Sequence, residues 1–86
     1  MKNNIQNILS TLPHAPGVYQ FFRKNGEILY VGKSKNLKSR VGSYFKDPGR
    51  LNFAKKQMLW YIADITYIVT NNELESLILE NDLIKK

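Results

Sequence analysis

Cysteine is absent from this 86-residue sequence, histidine occurs once, and only 7 acidic residues accompany 13 lysines and arginines. Without cysteine the chain has no disulfide, zinc–thiolate site or thiol nucleophile, which fits a reducing cytoplasm. A metal site would therefore need oxygen ligands, which magnesium and manganese accept. No apolar run reaches the length of a membrane span, and the N-terminus lacks the apolar segment of a signal peptide.

The positive charge is concentrated in the first part of the chain. The net charge is +6, and the stretch from Arg23 to Lys56 has ten basic residues and two acids, whereas Asp64 to Asp82 has five acids and no base. A basic half of this kind favours a polyanion as partner, most simply nucleic acid. Charge alone leaves open a basic surface without any specific partner.

The length predicts one small domain over residues 1–86, and a hydrophobic content of 43% is enough for a globular fold. Hydrophobic periodicity predicts the order α-β-β-α-α-β-α, a small mixed sheet of three strands covered by helices. The predicted elements are helices over 2–11, 35–45 (capped by Ser34) and 51–62, a last helix after the capping box Thr70-x-x-Glu73, and strands over 17–22, 28–32 and 64–69.

The predicted hairpin and the helix after it carry residues suited to a phosphate group. Each strand contributes one tyrosine, Tyr19 and Tyr30, and Lys33 follows as a compact cation. Arg40 and Tyr44 are four residues apart, so they share one side of a helix. A phenolate base at neutral pH needs nearby cations, because free tyrosine has a pKa of about 10. Lys33 and Arg40 are the candidates for that role.

The last helix places one carboxylate beside apolar residues. Its predicted buried stripe is Leu74, Leu77, Ile78 and Ile84, and Glu80 lies at the edge of that stripe. A carboxylate there costs free energy unless it is paired or bound to a metal. Two interpretations remain open at this point, a metal ligand and a border residue whose carboxylate reaches water.

These residues fit two functions when only residue types and spacing are considered. A nuclease needs an activated water, a divalent metal and cations for the developing charge, and candidates for each are present. A non-catalytic nucleic-acid-binding domain is the alternative, with the tyrosines as strand aromatics. The residues predicted to contact nucleic acid in either case are Lys33, Lys35, Lys38, Arg40, Lys55 and Lys56.

A family resemblance favours the nuclease. Gly17-Val18-Tyr19 followed by Tyr30-Val31-Gly32 resembles the paired motif that names the GIY-YIG endonuclease family. The match continues through Lys33, Asn36-Leu37, Arg40, Ser43-Tyr44-Phe45 and the tail from Glu75 to Lys86. Within the family, the chain is most similar to the branch formed by the N-terminal nuclease domain of the bacterial excinuclease subunit UvrC. The resemblance covers nearly the whole chain, most loosely before Leu12 and over 46–61.

The resemblance implies an α+β fold of the GIY-YIG type, a three-stranded antiparallel sheet flanked by helices. It implies hydrolysis of double-stranded DNA with one Mg²⁺ or Mn²⁺ ion, on the 3′ side of a lesion, in nucleotide excision repair. The resemblance implies that Glu80 is the metal ligand and that Tyr19 and Tyr30 line the water site, one of them as general base. It also implies that Arg40 stabilises the phosphate, that Lys33 supports the tyrosines and the phosphate, and that Tyr44 completes the pocket.

The same resemblance implies that the chain is an N-terminal fragment of a longer protein, which would meet other excinuclease subunits such as UvrB through regions outside residues 1–86. Two alternatives remain. One is a different GIY-YIG nuclease, either a repair homologue or a small standalone member. The other is a basic binding module that kept the fold and lost catalysis.

Overall fold

The computed structural model of the chain describes residues 2–71 and 73–84, with side chains described for 5–71 and 77–84. The predicted order of elements is confirmed. The elements are α1 (Lys2–Thr11), β1 (Gly17–Phe22), β2 (Ile28–Ser34), α2 (Leu37–Lys46), a 3₁₀ turn (Pro48–Arg50), α3 (Phe53–Leu59), β3 (Asp64–Val69) and α4 (Glu73–Ile84). In this part of the chain no helix is both long enough and apolar enough to cross a membrane.

The sheet is antiparallel, with strand order β2-β1-β3, so β1 is central and β2 is an edge strand. The hairpin between β1 and β2 turns at Gly26, whose φ of 89° is a left-handed conformation that glycine adopts without strain. Tyr19 pairs with Gly32 on one side and with Tyr67 on the other. Since paired residues point to the same face, these three define one face of the sheet.

The two faces of the sheet are covered by different helices. On the face that bears Tyr19, α1 and α2 enclose the main core, which consists of Leu12, Tyr19, Phe21, Leu37, Val41, Tyr44, Ile62 and Ile65. Val18 and Val31 are also buried, but they alternate with Tyr19 and Gly32 and so point to the other face. Helix α4 contacts β2 and β1 and therefore covers that second face.

The N-terminus of α2 is capped by Asn36, so the predicted cap at Ser34 is wrong. The Asn36 side chain accepts a hydrogen bond from the backbone N–H of Ser39 at 3.1 Å. Ser34 instead ends β2, and its hydroxyl donates to the Asn36 carbonyl oxygen at 2.8 Å. The strand continues two residues further than predicted, which moves the start of the helix to Leu37.

The proline-flanked loop before β1 fixes the start of α2. The backbone N–H groups of Leu37 and Lys38 donate to the carbonyl oxygens of Ala15 and Pro13, at 2.9 and 3.1 Å. These are N–H groups that a helix cannot satisfy internally at its first turn. The loop thereby holds α2 against β1, which sets the distance between tyrosines on the two elements.

The third helix is shorter than predicted. Instead of a helix over 51–62, α3 spans Phe53–Leu59, and Asn52 caps it by accepting from the N–H of Lys55 at 2.9 Å. Leu51, Met58 and Ile62 pack on the core as predicted, whereas Ala54 is exposed. The chain makes a turn at residues 60 and 61, so the last apolar residues reach the core from outside the helix.

The buried stripe predicted for α4 is wrong. Leu77, Ile78 and Ile84 are 42%, 56% and 61% exposed. Leu79 and Leu83, four residues apart, are half-buried together with Glu80, so these residues form the side of α4 that faces the sheet. Apolar residues occur around most of this helix, and periodicity alone therefore does not select a face. Leu74 and the predicted capping-box residue Glu73 have side chains outside the described set.

Candidate active site

Tyr19 and Tyr44 meet inside the core. Their hydroxyl oxygens are 3.1 Å apart and share a hydrogen bond, and each residue is 2% exposed. Tyr19 is brought there by the central strand, and Tyr44 by α2, where it follows the inward positions Leu37 and Val41 at helical spacing. A buried hydroxyl needs a partner, and each phenol supplies one for the other.

Tyr30 completes a group of three phenols, called the phenol cluster below. Its ring centroid lies 6.1 Å from that of Tyr19 and 6.5 Å from that of Tyr44. Gly32 makes this approach possible, because a Cβ atom there would lie 2.5 Å from Cζ and Oη of Tyr19 and 2.9 Å from Cε2 of Tyr30. Of the three phenols only Tyr30 has a half-exposed side chain, so it is the one that water reaches most readily.

The environments of the phenols set their protonation. Burial raises the pKa of Tyr19 well above its ordinary value of 10, and the hydrogen bond with Tyr44 and negative charge on Tyr44 or Tyr30 act in the same direction. The positive charge of Arg40 lowers this pKa, but it is the smallest of these effects. Tyr19 is therefore a neutral hydrogen-bonding group at neutral pH. Arg40 itself is exposed, and its positive charge interacts electrostatically with Tyr19.

A lysine that the sequence-based reasoning assigned only to DNA contact lies directly at the cluster. Lys55 Nζ is 5.1 Å from the ring centroid of Tyr30 and 5.7 Å from that of Tyr44. Desolvation lowers the pKa of Lys55, but charge interactions and hydrogen bonds with Tyr44 and Tyr30 outweigh it, so the pKa is raised. No spacing signal links Lys55 to Tyr30, which is 25 residues earlier on another element.

Lys33 and Glu80 lie on the other side of the sheet. Lys33 pairs with Val18, so it points to the face opposite the phenol cluster, and it is exposed. Glu80 is half-buried on the sheet-facing side of α4, the helix that covers that face. The predicted catalytic residues thus form two groups. The edge strand β2 carries Tyr30 of the first group and Lys33 of the second.

The other predicted nucleic-acid contacts are distributed over α2, α3 and the loop before α2. Lys35 and Lys56 are exposed. Lys38 is half-buried, and its Nζ donates to the carbonyl oxygen of Ser10 at 3.2 Å, so it also ties α2 to the end of α1. Their contact with nucleic acid stays a prediction.

An apolar groove lies apart from the phenol cluster. It has a volume of about 690 Å³ and is mainly apolar. Its lining residues come from α1, α3 and their neighbours, and they are Ile5, Gln6, Leu9, Phe45, Pro48, Lys56, Leu59, Trp60 and Ile62. None of the three phenols is among these lining residues.

The donor set fits a hydrated magnesium ion. Among the described side chains, those of 5–71 and 77–84, no three His, Cys, Asp or Glu residues come together as a ready-made cage. A single half-buried carboxylate, Glu80, leaves most of a coordination shell to water and substrate oxygens. Magnesium binds proteins in this way, through one or two carboxylates, waters and phosphate oxygens.

Comparison with known proteins identifies the family. The model of the UvrC-like GIY-YIG domain matches residues 15–86. The chain belongs to the UvrC-like GIY-YIG domain family. UvrABC system protein C of Chlorobium luteolum is 45% identical over 82 residues, which are 95% of this chain and 13% of that protein. The Christiangramia forsetii protein of the same name is 54% identical over 81 residues, 91% of this chain and 13% of that protein.

Solved structures agree with this assignment. The GIY-YIG N-terminal endonuclease domain of UvrC from Thermotoga maritima, bound to magnesium as its catalytic divalent cation, superimposes with a TM-score of 0.84. It is 35% identical, and the match covers 99% of this chain and 91% of that one. The sequence-based identification and the GIY-YIG fold are confirmed. The chain spans about an eighth of the length of the full-length relatives it matches.

Proposed function

We propose that this domain is a divalent-metal-dependent endonuclease that hydrolyses phosphodiester bonds of DNA. The observation that carries the proposal is the phenol cluster with Arg40 beside it, at the edge of a strand whose other face carries Lys33 and the helix of Glu80. The Thermotoga maritima domain with the same fold is an endonuclease domain that binds a catalytic divalent cation. The basic surface suits a polyanionic substrate.

Tyr30 is the general base in this proposal. Tyr19 is kept neutral by burial and is engaged with Tyr44, so neither atom of that hydrogen bond is well placed to take a proton from water. Tyr30 is half-exposed and has a cation nearby. Its phenolate accepts a proton from the attacking water as the new P–O bond forms. The bond to the leaving deoxyribose oxygen breaks, and a solvent water protonates that oxygen. The guanidinium of Arg40 binds a non-bridging phosphate oxygen.

Glu80 holds the metal, and Lys33 supplies positive charge on the same side of β2. One Mg²⁺ or Mn²⁺ ion bound there would act as a Lewis acid toward the phosphate oxygens. The scissile phosphate then lies along the edge of β2, between the phenol cluster and the carboxylate. Tyr19 and Tyr44 act on the phosphate only indirectly, by holding the position of Tyr30.

We further propose that the domain is part of a longer protein and makes the incision on the 3′ side of a lesion during nucleotide excision repair, as the family resemblance implies. Double-stranded DNA is the substrate, and other excinuclease subunits such as UvrB bind through regions beyond residue 86. Bacterial chromosomal DNA lies in the cytoplasm, so the proposal places the domain there. Reconstitution with the other subunits and a lesion-containing duplex tests this level of the proposal.

The domain-level proposal is tested with supercoiled plasmid. We expect nicking by the parent chain in Mg²⁺ or Mn²⁺ that stops when EDTA is added. Tyr30→Phe removes the base and should lower the rate by about 100-fold or more. Tyr67→Phe is the matched control, since Tyr67 is a partly exposed tyrosine on β3 outside the cluster, and it should nick at the parent rate.

Two results contradict the proposal. Equal rates for Tyr30→Phe and Tyr67→Phe would remove Tyr30 as base. Binding of DNA without nicking, by the chain and by the reconstituted longer protein alike, would favour the non-catalytic binding module.

A further inference from the structure

The N-terminal cap of α3 fixes the backbone of Lys55. Helix α3 begins at Phe53 after the Asn52 cap, whose side-chain oxygen accepts from the Lys55 N–H itself. This cap fixes the first turn of α3, and the side chain of Lys55 extends from that turn to the phenol cluster. Lys56, the next residue on the same helix, is exposed and lines the apolar groove instead.

Lys55 contacts the cluster in a way that the other cations do not. Its ammonium lies 5.1 and 5.7 Å from the ring centroids of Tyr30 and Tyr44, within the range of a cation–π interaction. Lys33 is on the opposite face of β2, and Arg40 is exposed on α2. Among the described residues, Lys55 is the one cation that lies over rings of the phenol cluster.

The charges around Tyr30 can be assigned element by element. Tyr19 from β1 and Tyr44 from α2 are phenols, and α2 also carries Arg40. Helix α3 contributes Lys55, while the charged residues on the second face, Lys33 and Glu80, are separated from Tyr30 by the strand itself. The raised pKa of Lys55 agrees with this arrangement, because the phenols hold its proton more tightly than water does.

We propose that Lys55 is a positioning residue of the nuclease site, which orients Tyr30 and Tyr44 and supplies the positive charge that stabilises an ionised Tyr30. The proposal rests on the proposed function only where it concerns cleavage. It assigns Lys55 to the reaction and separates it from the lysines whose role is DNA binding. Since the ammonium acts through the phenol, loss of the cation should change the pH dependence of cleavage as well as its rate.

The test compares three variants. Lys55→Gln removes the cation, Lys55→Arg keeps it, and Lys56→Gln removes the same net charge one residue away. Lys55→Gln should slow nicking about tenfold at pH 7 and move the rising limb of the pH–rate profile by about one unit toward alkaline pH, as expected for loss of a charge within 4–6 Å. Lys55→Arg should retain most of the parent nicking rate and most of the parent position of the rising limb. Lys56→Gln should weaken DNA affinity but leave the position of the limb unchanged.

A spectroscopic titration decides the same question without any cleavage. Phenolate absorbance near 295 nm is recorded against pH for the parent chain, Tyr30→Phe, Lys55→Gln and Lys56→Gln, and the Tyr30 transition is identified by difference. We expect Lys55→Gln, and not Lys56→Gln, to move that transition to higher pH. If no variant nicks DNA but the transition moves, the nuclease proposal fails while the Lys55–Tyr30 coupling stands.

Two outcomes overturn the inference. One is a Tyr30 transition and a pH–rate profile that are the same in Lys55→Gln as in Lys56→Gln, with both variants changed only in DNA affinity. The other is a Lys55→Gln variant that differs from the parent only in its melting temperature, which would make Lys55 a structural residue.

Discussion

The hydroxyl oxygens of Tyr19 and Tyr44, residues 25 positions apart in the chain, lie 3.1 Å from each other in the core. This hydrogen bond joins the central strand to α2 and leaves Tyr30 as the phenol that faces the outside. The three tyrosines therefore differ in role although the sequence presents them alike. Two of them are buried and hydrogen-bonded to each other, and the third is half-exposed to water.

Tyr19→Phe should reduce stability, because it removes one partner of a buried hydrogen bond and leaves the Tyr44 hydroxyl without that partner. We expect a loss of about 1–3 kcal/mol in the free energy of unfolding, measured by urea titration. Tyr67→Phe is the control and should change stability by less than about 0.5 kcal/mol. The double variant with Tyr44→Phe completes a cycle, and additive effects of the two substitutions would show that the hydroxyls are not coupled.

Tyr19 also predicts an alkaline limit to stability. Its pKa is higher in the folded than in the unfolded chain, so the stabilisation is complete below pH 10 and is lost as the pH rises through the folded pKa. Above pH 10 this one group should lower the free energy of unfolding by about 1.4 kcal/mol per pH unit. When the free energy of unfolding is measured between pH 9 and 11.5, Tyr19→Phe should show a smaller decrease with pH than the parent chain. A slope equal to that of the parent would contradict the assignment.

Gly32→Ala should disturb the cluster directly. The added Cβ would lie 2.5 Å from Tyr19 and 2.9 Å from Tyr30, so the rings must move, at a cost of about 1–3 kcal/mol. Near-ultraviolet circular dichroism should show the change in tyrosine packing. Gly42→Ala is the matched control, because nothing lies within 4 Å of the position of its Cβ and α2 gains a better helix former. Equal melting temperatures for the two variants would argue against close packing at Gly32.

DNA binding should depend on salt and little on sequence. The basic residues suit phosphate contact more than base readout, so log K should fall against log salt with a slope of about −0.9 per phosphate contacted. Lys56→Gln should reduce the slope by about one contact, whereas Lys24→Gln, in the hairpin turn, should not change it. Fluorescence anisotropy at several salt concentrations measures both. A flat response would contradict the electrostatic account.

The fold could be predicted from local patterns where those patterns are strong. The bounds of β1 and β3 agree with the predicted strands over 17–22 and 64–69, and the hairpin turns at Gly26, between the first two predicted strands. The side of α4 that packs on the sheet could not be predicted. Apolar residues occur on most sides of this helix, and its contact with the sheet decides which side is buried. The N-cap of α2 differs from the predicted one for a similar reason, because pairing with β1 extends β2 to Ser34.

The site was predictable only in part. The motif pointed to Tyr19, Tyr30, Arg40 and Tyr44, and the structure brings these together. The contact of Lys55 with the cluster depends on where α3 docks, which is a tertiary property with no signature in residue spacing. The separation of Lys33 from the phenols by β2 follows from strand register, which a list of motif residues does not contain.

We propose that a carboxylate on one face of β2 and phenols on the other act on one phosphate, and the variant Glu80→Gln tests this proposal. Glutamine keeps the size and removes the charge, so it should abolish metal binding while leaving the melting temperature unchanged or slightly raised, since a half-buried carboxylate without metal is costly. Asp82→Asn, an exposed acid on the same helix, is the control.

The decisive measurement is the rate of Mg²⁺- or Mn²⁺-dependent DNA nicking by these two variants and the parent, with a melting curve for each. We expect Glu80→Gln to be folded and inactive, and Asp82→Asn to nick at the parent rate. Undiminished nicking by Glu80→Gln would contradict it, and loss of nicking together with a large fall in melting temperature would make Glu80 a structural residue.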